Sequence, residues 1–437
     1  MTHKGLALCT HKAKPWQLRP MNKHIIYLDH AAATPLDPRV KEAMLPYLEN
    51  EFGNPSALYQ IGRVARQALD NARDSVASIL GCSAAEVIFT GSGTESDNLA
   101  VFGVARQYAY TTPARLRLRA NSLAGGPNPS SKRRGNQLIS PPAGGGDSGG
   151  VGAHIITTNF EHHAVLNPCR VLEKEGLDAT YLKVDRDGLI TPEQLHNALR
   201  EDTILVSIMY ANNEVGTIEP IAECAKAIRA WKKEHRRKEN DPPFFHTDAC
   251  QAAGYLDIEV SQLGVDLLTL NGSKIYGPKG VGALYVRRGI RLQPMIYGGG
   301  QEFGLRAGTE NVAEIVAIAK ALAIAKRLSN EEVKRLSLLR DKLIHGILNK
   351  IPQAELNGHP TQRLPNNMNV SIAGLEAEAM LFYLDEAGIA ASTGSACESA
   401  GPDPSHVVQA LGKSRDAARS SIRFTLGRAT TEKDIDY

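Results

Sequence analysis

A largely apolar run, Val265 to Leu270, breaks into the segment NGSKIYGPKGVG, Asn271 to Gly282. The run reads as a buried strand and the glycines behind it force a turn, so the fold must present Lys274 at a strand end. A second apolar strand enters HTDACQAAG, His246 to Gly254, and puts Asp248 at the end of a neighbouring strand. Open α/β sheets bind ligands in the crevice outside the carboxyl ends of their strands, where these two residues would meet. A lone lysine at a strand end is ordinarily surface charge; a lysine and a carboxylate in one crevice are more specific. They are the minimum kit for pyridoxal phosphate, since the lysine holds the aldehyde and the carboxylate keeps the ring nitrogen protonated.

Other segments read from their residues alone are less specific. In VIFTGSGTESDNLA, Val87 to Ala100, a β-branched run meets a Gly-Ser-Gly-Thr turn and then a helical pattern. That places backbone N–H groups, the Thr94 hydroxyl and a helix N-terminus at one point, which suits an anion as well as a plain helix cap. VSIMYANNEVGT ends a buried strand on Asn212 and Asn213, positions compatible with either ligand or turn chemistry. Adjacent histidines in EHHAV, Glu161 to Val165, face different sides of a helix, which argues against a shared metal ion. KKEHRRK, closing a helix over about 221–238, is most simply a solvated face.

Composition excludes several classes. The chain has 437 residues, 42% of them hydrophobic, enough for more than one domain, and no run is apolar enough to span a bilayer. The net charge of +3 comes from two segments: residues 1–20, with four basic residues and no acid, and residues 111–150, with six basic residues against Asp147. The remainder is mildly acidic, so a nucleic-acid surface on the folded body is not expected. Cys9, Cys82, Cys169, Cys224, Cys250 and Cys397 show no paired spacing, which fits a reducing, cytoplasmic setting and no metal site. Residues 111–153 are rich in Gly, Pro, Ser and Arg without helical or strand period, and read as a disordered insertion.

GSKIYGPKG resembles the lysine loop of a cysteine desulfurase of the NifS/IscS type, in the class V aminotransferase superfamily. The resemblance covers about residues 24–110 and 154–437 and also rests on YLDHAAATP, FGNPSALYQIG, GSGTESDNLA, EHHAV, ANNEVGT, HTDACQAAG, GGGQEFGLRAGTEN and STGSACESAG, in family order. It implies an α/β fold of the type I class for pyridoxal phosphate enzymes: a large domain with a mainly parallel seven-stranded sheet, and a small α+β domain. The implied division is residues 1–22 as a leader or tail without fixed structure and 23–45 as a segment packing with the small domain. The large domain covers 46–295, interrupted at 111–153, and a linking helix with the small domain covers 296–437. Relatives continue past Tyr437 into a final helix, so either the sequence is truncated or that packing is absent.

The resemblance also assigns residues. Gly93 and Thr94 would hold the cofactor phosphate; His162 would stack on its ring and move protons, with His163 incidental. Asn213 and Gln251 would bind the ring hydroxyl, Asp248 the ring nitrogen, and Lys274 the aldehyde. Asn271 and Ser273 stand near the phosphate, where the family usually has Ser and His. Thr309, opening a helix read over Thr309–Leu328, would reach the phosphate in the partner subunit of an obligatory homodimer. Arg423 would grip the carboxylate of L-cysteine, and Cys397, in a segment of small residues, would accept its sulfur. The implied reaction yields L-alanine and a persulfide, which passes to a sulfur-acceptor protein for iron–sulfur cluster assembly or tRNA thiolation. Transient ligation of a cluster by Cys397 stays open. A selenocysteine lyase or an aminotransferase would share the cofactor residues but needs no nucleophilic cysteine, and a non-enzymatic scaffold would need neither Lys274 nor Asp248.

Overall fold

Strongly apolar strands of about five residues alternate with amphipathic helices along most of this chain, a pattern that buries both faces of a parallel sheet. The computed structural model describes residues 25–109, 152–394 and 404–437. Among them one sheet has seven strands: β2 (Val87–Thr90), β3 (His154–Thr158), β4 (Asp178–Leu182), β5 (Thr203–Ser207), β6 (Phe244–Asp248), β7 (Leu267–Asn271) and β8 (Gly282–Val286). Its order is β2-β8-β7-β6-β5-β3-β4. Only β8 runs against its neighbours; the other pairings are parallel. After β3 the chain steps outward to β4 and then crosses back to β5 on the other side of β3, so the strand order reverses between β3 and β5. A crevice at the carboxyl ends follows from that reversal.

A second core lies around a three-stranded antiparallel sheet, order β12-β10-β9, of β9 (Ala354–Leu356), β10 (Asn367–Ile372) and β12 (Ser421–Thr425). Beside it β1 (Ile26–Tyr27) pairs in parallel with β11 (Ile389–Ala390), which ties the N-terminal segment to this core. One 39-residue helix, Val312–Lys350, joins the two. Its first half puts Ile315, Ile318 and Leu322 into the large core, and its second half puts Leu336, Leu339 and Ile344 into the small one. No described helix is long and apolar enough to cross a membrane.

Several boundaries differ from the sequence reading. The long helix begins at Val312, because the Asn311 side chain caps it by accepting from Glu314 N, and it does not stop near 328. Between Ala325 and Leu336 none of its residues is buried, but none is Gly or Pro either, so nothing breaks the hydrogen-bond ladder across the gap between the cores. β7 starts two residues later than read, since Asp266 turns its carboxylate back to Phe245 N and Arg287 instead of joining the strand. Ala153, placed in the insertion by composition, is buried and accepts from Asp178 N, so the described chain is packed by that residue. In KKEHRRK, Lys232 is buried, its Nζ donating to Glu239 O at 3.1 Å, while Lys233 is exposed. Residues 111–151 of the insertion and residues 1–22 lie outside the described residues.

Buried histidines make the fold sensitive to acid. His154 on β3 bridges its neighbours through Thr203 Oγ1 on β5 and Thr180 Oγ1 on β4, both at 2.8 Å. Burial, helped by Arg200, pulls it down to about 4, and burial does the same to His246 despite nearby Asp248. An unfolded imidazole titrates near 6.5, so as pH falls from about 6.5 toward 4 the unfolded chain takes up protons the folded one refuses. Each histidine then removes stability at ~1.4 kcal/mol per pH unit, and the stabilisation is complete only above about 6.5. His154→Asn is expected to lose ~1–2 kcal/mol near neutrality from its two hydrogen bonds. It should also show a shallower fall between about pH 7 and about pH 5 than the parent. Urea denaturation at both pH values checks this; identical slopes would place the acid sensitivity elsewhere.

Candidate active site

At the carboxyl ends of β5, β6 and β7 a cavity of about 210 Å³ is lined by residues from seven segments. Gly93, Thr94, His162, Asn213, Asp248, Gln251, Asn271, Lys274 and Arg423 all reach it. Lys274 closes the 3-10 turn Gly272–Lys274 that β7 runs into. Its Nζ donates to Ala31 O at 2.7 Å and Ala32 O at 2.6 Å, which anchors the ammonium on the turn after β1. Gln251 Nε2 also donates to Ala31 O, at 3.1 Å, so its amide is partly committed to the same carbonyl. Asp248 ends β6 and steadies its own turn by accepting from Cys250 N at 2.8 Å.

The helix Gly93–Tyr108 starts at the cavity wall. Ser92 Oγ caps it by accepting from Glu95 N at 3.1 Å, and Gly91 N donates to Glu95 Oε2 at 2.8 Å. The first-turn N–H groups of Gly93 and Thr94 have no intrahelical acceptor by construction, so they form an anion-binding end. Only glycine fits at position 93, where a Cβ would lie 2.7 Å from Cys250 Sγ and 3.1 Å from Asn271 Cβ.

His162 is the N-cap of the helix His163–Lys174. Its Nδ1 accepts from Ala164 N at 3.1 Å, which leaves the proton on Nε2. Burial holds its pKa below the usual imidazole value, with Asp248 opposing and Lys274 assisting. A neutral, flat ring at the cavity edge can stack and can exchange a proton at Nε2. Asn213 presents a buried Oδ1 with no hydrogen-bond partner among the described residues, while its backbone carbonyl accepts from Arg423.

Two expected residues lie elsewhere. Ser273 does not line the cavity; its N and Oγ both donate to Asn271 Oδ1, at 3.3 Å, so the turn consumes the hydroxyl. Thr309, assigned by the resemblance to the partner subunit's phosphate, is exposed and does not line this chain's cavity. Cys397 lies outside the described residues, although the chain on both sides of it reaches Glu214, next to Asn213. Ser405 Oγ donates to Glu214 Oε2 at 2.5 Å, and a Cβ on Gly394 would stand 2.9 Å from that oxygen.

Asp97 and Cys250 line the cavity without having been anticipated. Asp97 is 1% exposed, and burial and then Asp248 push its carboxyl well above the carboxylate range. Its one signal in the sequence is the i,i+3 spacing from Thr94, which puts both on one face of the helix. Burial likewise raises the Cys250 thiol, which makes it a wall and not a nucleophile.

The family profile described as aminotransferase class-V matches residues 26–113 and 144–437. The chain belongs to that family. Among its relatives, cysteine desulfurase IscS of Dictyoglomus turgidum is 45% identical over 415 residues, covering 95% of this chain and 93% of the relative. The protein of the same name from Methanosarcina thermophila is 44% identical, over 94% of this chain and 89% of that one. A solved NifS-like protein aligns with TM-score 0.78 and 33% identity, over 95% of this chain and 97% of the other. The family uses pyridoxal phosphate, and the fold is the type I fold. The partnerless Asn213 Oδ1, the glycine-only approach at Gly93 and the Lys274–Asp248 pair all suit that cofactor.

Proposed function

We propose that this protein is a cysteine desulfurase that converts L-cysteine to L-alanine and leaves the sulfur as a persulfide on Cys397. One observation carries the reading: Lys274, Asp248, His162 and Arg423, from four separate segments, converge on one cavity in a chain that is 45% identical to a cysteine desulfurase. A solved protein described as SspA in complex with cysteine, 32% identical with TM-score 0.70 over 92% of this chain, supports the substrate.

When bound, pyridoxal phosphate supplies an electron sink that labilises bonds of an attached amino acid. The chain supplies the rest. Lys274 would hold the cofactor aldehyde, Asp248 would keep the ring nitrogen protonated, and Gly93 and Thr94 would receive the phosphate with Asn271 beside them. Asn213 and Gln251 would contact the ring hydroxyl, and His162 would cover the ring and carry a proton at Nε2. Arg423 orients the substrate carboxylate. Cys397 then forms a bond to the substrate sulfur as the carbon–sulfur bond breaks; the electron pair stays with the three-carbon skeleton, which takes a proton to become L-alanine.

The protein works as a homodimer in a reducing, cytoplasmic setting and passes sulfur to an acceptor protein of iron–sulfur assembly or tRNA thiolation. Exposed Phe52, Leu58, Tyr59, Tyr297 and Phe303 support the dimer, since a soluble surface rarely leaves so many large apolar groups on nearby segments uncovered. Arg66 and Ser56 share a cleft with Phe303, which puts the 52–66 and 297–303 segments side by side.

Mass spectrometry after exposure to L-cysteine tests the central claim: one sulfur should be added to the peptide containing Cys397, with L-alanine released. Added sulfur on any other cysteine would defeat it. The family match is interrupted between 113 and 144, within the basic insertion. Deleting residues 114–143 is therefore expected to leave cofactor binding and L-cysteine turnover within about twofold of the parent, since long surface insertions add little closure entropy. Loss of soluble protein would show that the segment packs on the body.

A further inference from the structure

Arg423, on β12, is 1% exposed, and its guanidinium is already engaged. Its terminal NH2 nitrogen donates to Asp29 Oδ1 at 2.7 Å, and NH1 donates to Asn213 O at 3.1 Å. Nε is buried with no partner among the described residues. A guanidinium has five N–H donors, so donors remain for a ligand in the cavity that Arg423 lines. Asp29 is held in place by its own backbone. It bridges to Thr425, two residues beyond Arg423, and its carbonyl accepts from Tyr27 Oη at 2.9 Å and from Ala32 N at 3.1 Å. Its side chain keeps 17% of its exposure. Asp29 does not line the cavity; it stands beside the wall and reaches the cavity only through Arg423.

A buried guanidinium without a counter-ion is costly and attracts any anion. Paired with Asp29, Arg423 has no net charge to offer, and what it keeps is direction. We propose that Asp29 is a positioning residue for the substrate carboxylate. It fixes the Arg423 fork toward the cavity and cancels its charge, so that α-amino acids, which also engage through their amine, are favoured over carboxylates that lack one. Asn213 extends the arrangement: its carbonyl steadies the same guanidinium, and the residue also lines the cavity, where the proposed function gives its side chain the ring hydroxyl of the cofactor. Carboxylate recognition and cofactor contact thus meet in one residue. The proposal rests on reading Arg423 as the substrate anchor.

Two substitutions separate charge from direction. Asp29→Asn keeps an oxygen that can accept from Arg423 but removes the negative charge; Asp29→Ala removes both. Binding of L-alanine and of propionate, the same skeleton without the amine, is measured by calorimetry on the cofactor-loaded protein. The parent should prefer L-alanine. Asp29→Asn should bind propionate about tenfold more tightly and reduce the preference by that factor, the effect of one uncovered charge. Asp29→Ala should raise KM for L-cysteine about tenfold with kcat within about twofold, and Asp29→Asn should restore KM, as expected when direction alone is lost. An unchanged preference in Asp29→Asn overturns the proposal, and so does identical behaviour of the two variants. If Asp29→Ala fails to fold, the preference in Asp29→Asn decides alone. Neither binding measurement needs turnover. A shifted preference without alanine formation from L-cysteine would leave Asp29 in its role and refute the desulfurase reading, while alanine formation with an unshifted preference would do the reverse.

Discussion

Lys274→Ala is expected to purify folded, without covalently attached pyridoxal phosphate, and to turn over L-cysteine at least ~10³-fold more slowly than the parent, on the scale of losing a group that moves protons in the reaction. The structural loss is small and local. Nζ satisfies the Ala31 and Ala32 carbonyls, and Ala31 O keeps its bond from Gln251, so the cost is ~1–3 kcal/mol from one unsatisfied carbonyl and a charged hydrogen bond. Lys274→Arg is the useful comparison, because it keeps the cation and donors for both carbonyls but has no amine that can react with an aldehyde. If the two variants lose activity alike while Lys274→Arg keeps the parent's thermal stability, the defect belongs to amine chemistry and not to the anchoring of the turn after β1. Borohydride reduction of the loaded parent followed by peptide mapping should fix the cofactor on Lys274. Label on any other lysine would remove the basis for the site.

Reading the strands worked where both faces are buried. Val265 to Leu270, an apolar run, does form a buried strand, shifted to Leu267–Asn271, because such a run between polar punctuation has few ways to be buried. The crevice was legible for a similar reason, since Asp248 and Lys274 each follow such a strand. Side-chain commitments were not legible. Ser273 looked available, but its hydroxyl is spent within its own turn on Asn271; Lys232 looked solvated, but the chain after its helix folds back to give it a carbonyl. Nothing local in the sequence marks Arg423 as buried; the pairing of β12 with β10, the return of β1 beside β11 and the reach of Asp29 bury it. Asp29 itself reads as an ordinary turn residue, because its partner is 394 positions away in the chain. Such long-range polar pairs leave no periodic mark, unlike the apolar faces that gave the strands.

Cys397→Ser separates desulfuration from the other chemistry that this cavity supports. The cavity residues act on the amino acid before sulfur moves, and none of them is changed by the substitution, so the serine variant should bind pyridoxal phosphate as the parent does and still change its absorption spectrum when L-cysteine is added. It should release alanine and sulfide at least ~10³-fold more slowly, because a serine hydroxyl is hardly ionised near neutrality while a thiol supplies a useful fraction of a far better nucleophile. Serine and cysteine are nearly the same size, and Cys397 lies in a segment of small polar residues, so a packing defect is not expected to mimic that loss. The four described cysteines are poorly suited to stand in for it. Cys169, Cys224 and Cys250 are buried, and burial raises the thiols of all three, and of Cys82, away from ionisation. Glu214, which meets Gly394 and Ser405, the described chain on either side of residues 395–403, adjoins Asn213, whose carbonyl accepts from Arg423. Mass spectrometry of the variant after L-cysteine should find no added sulfur on the 395–403 peptide. Turnover at the parent's rate would mean that sulfur leaves without Cys397, and a lyase or an aminotransferase working in the same cavity would then describe the protein better.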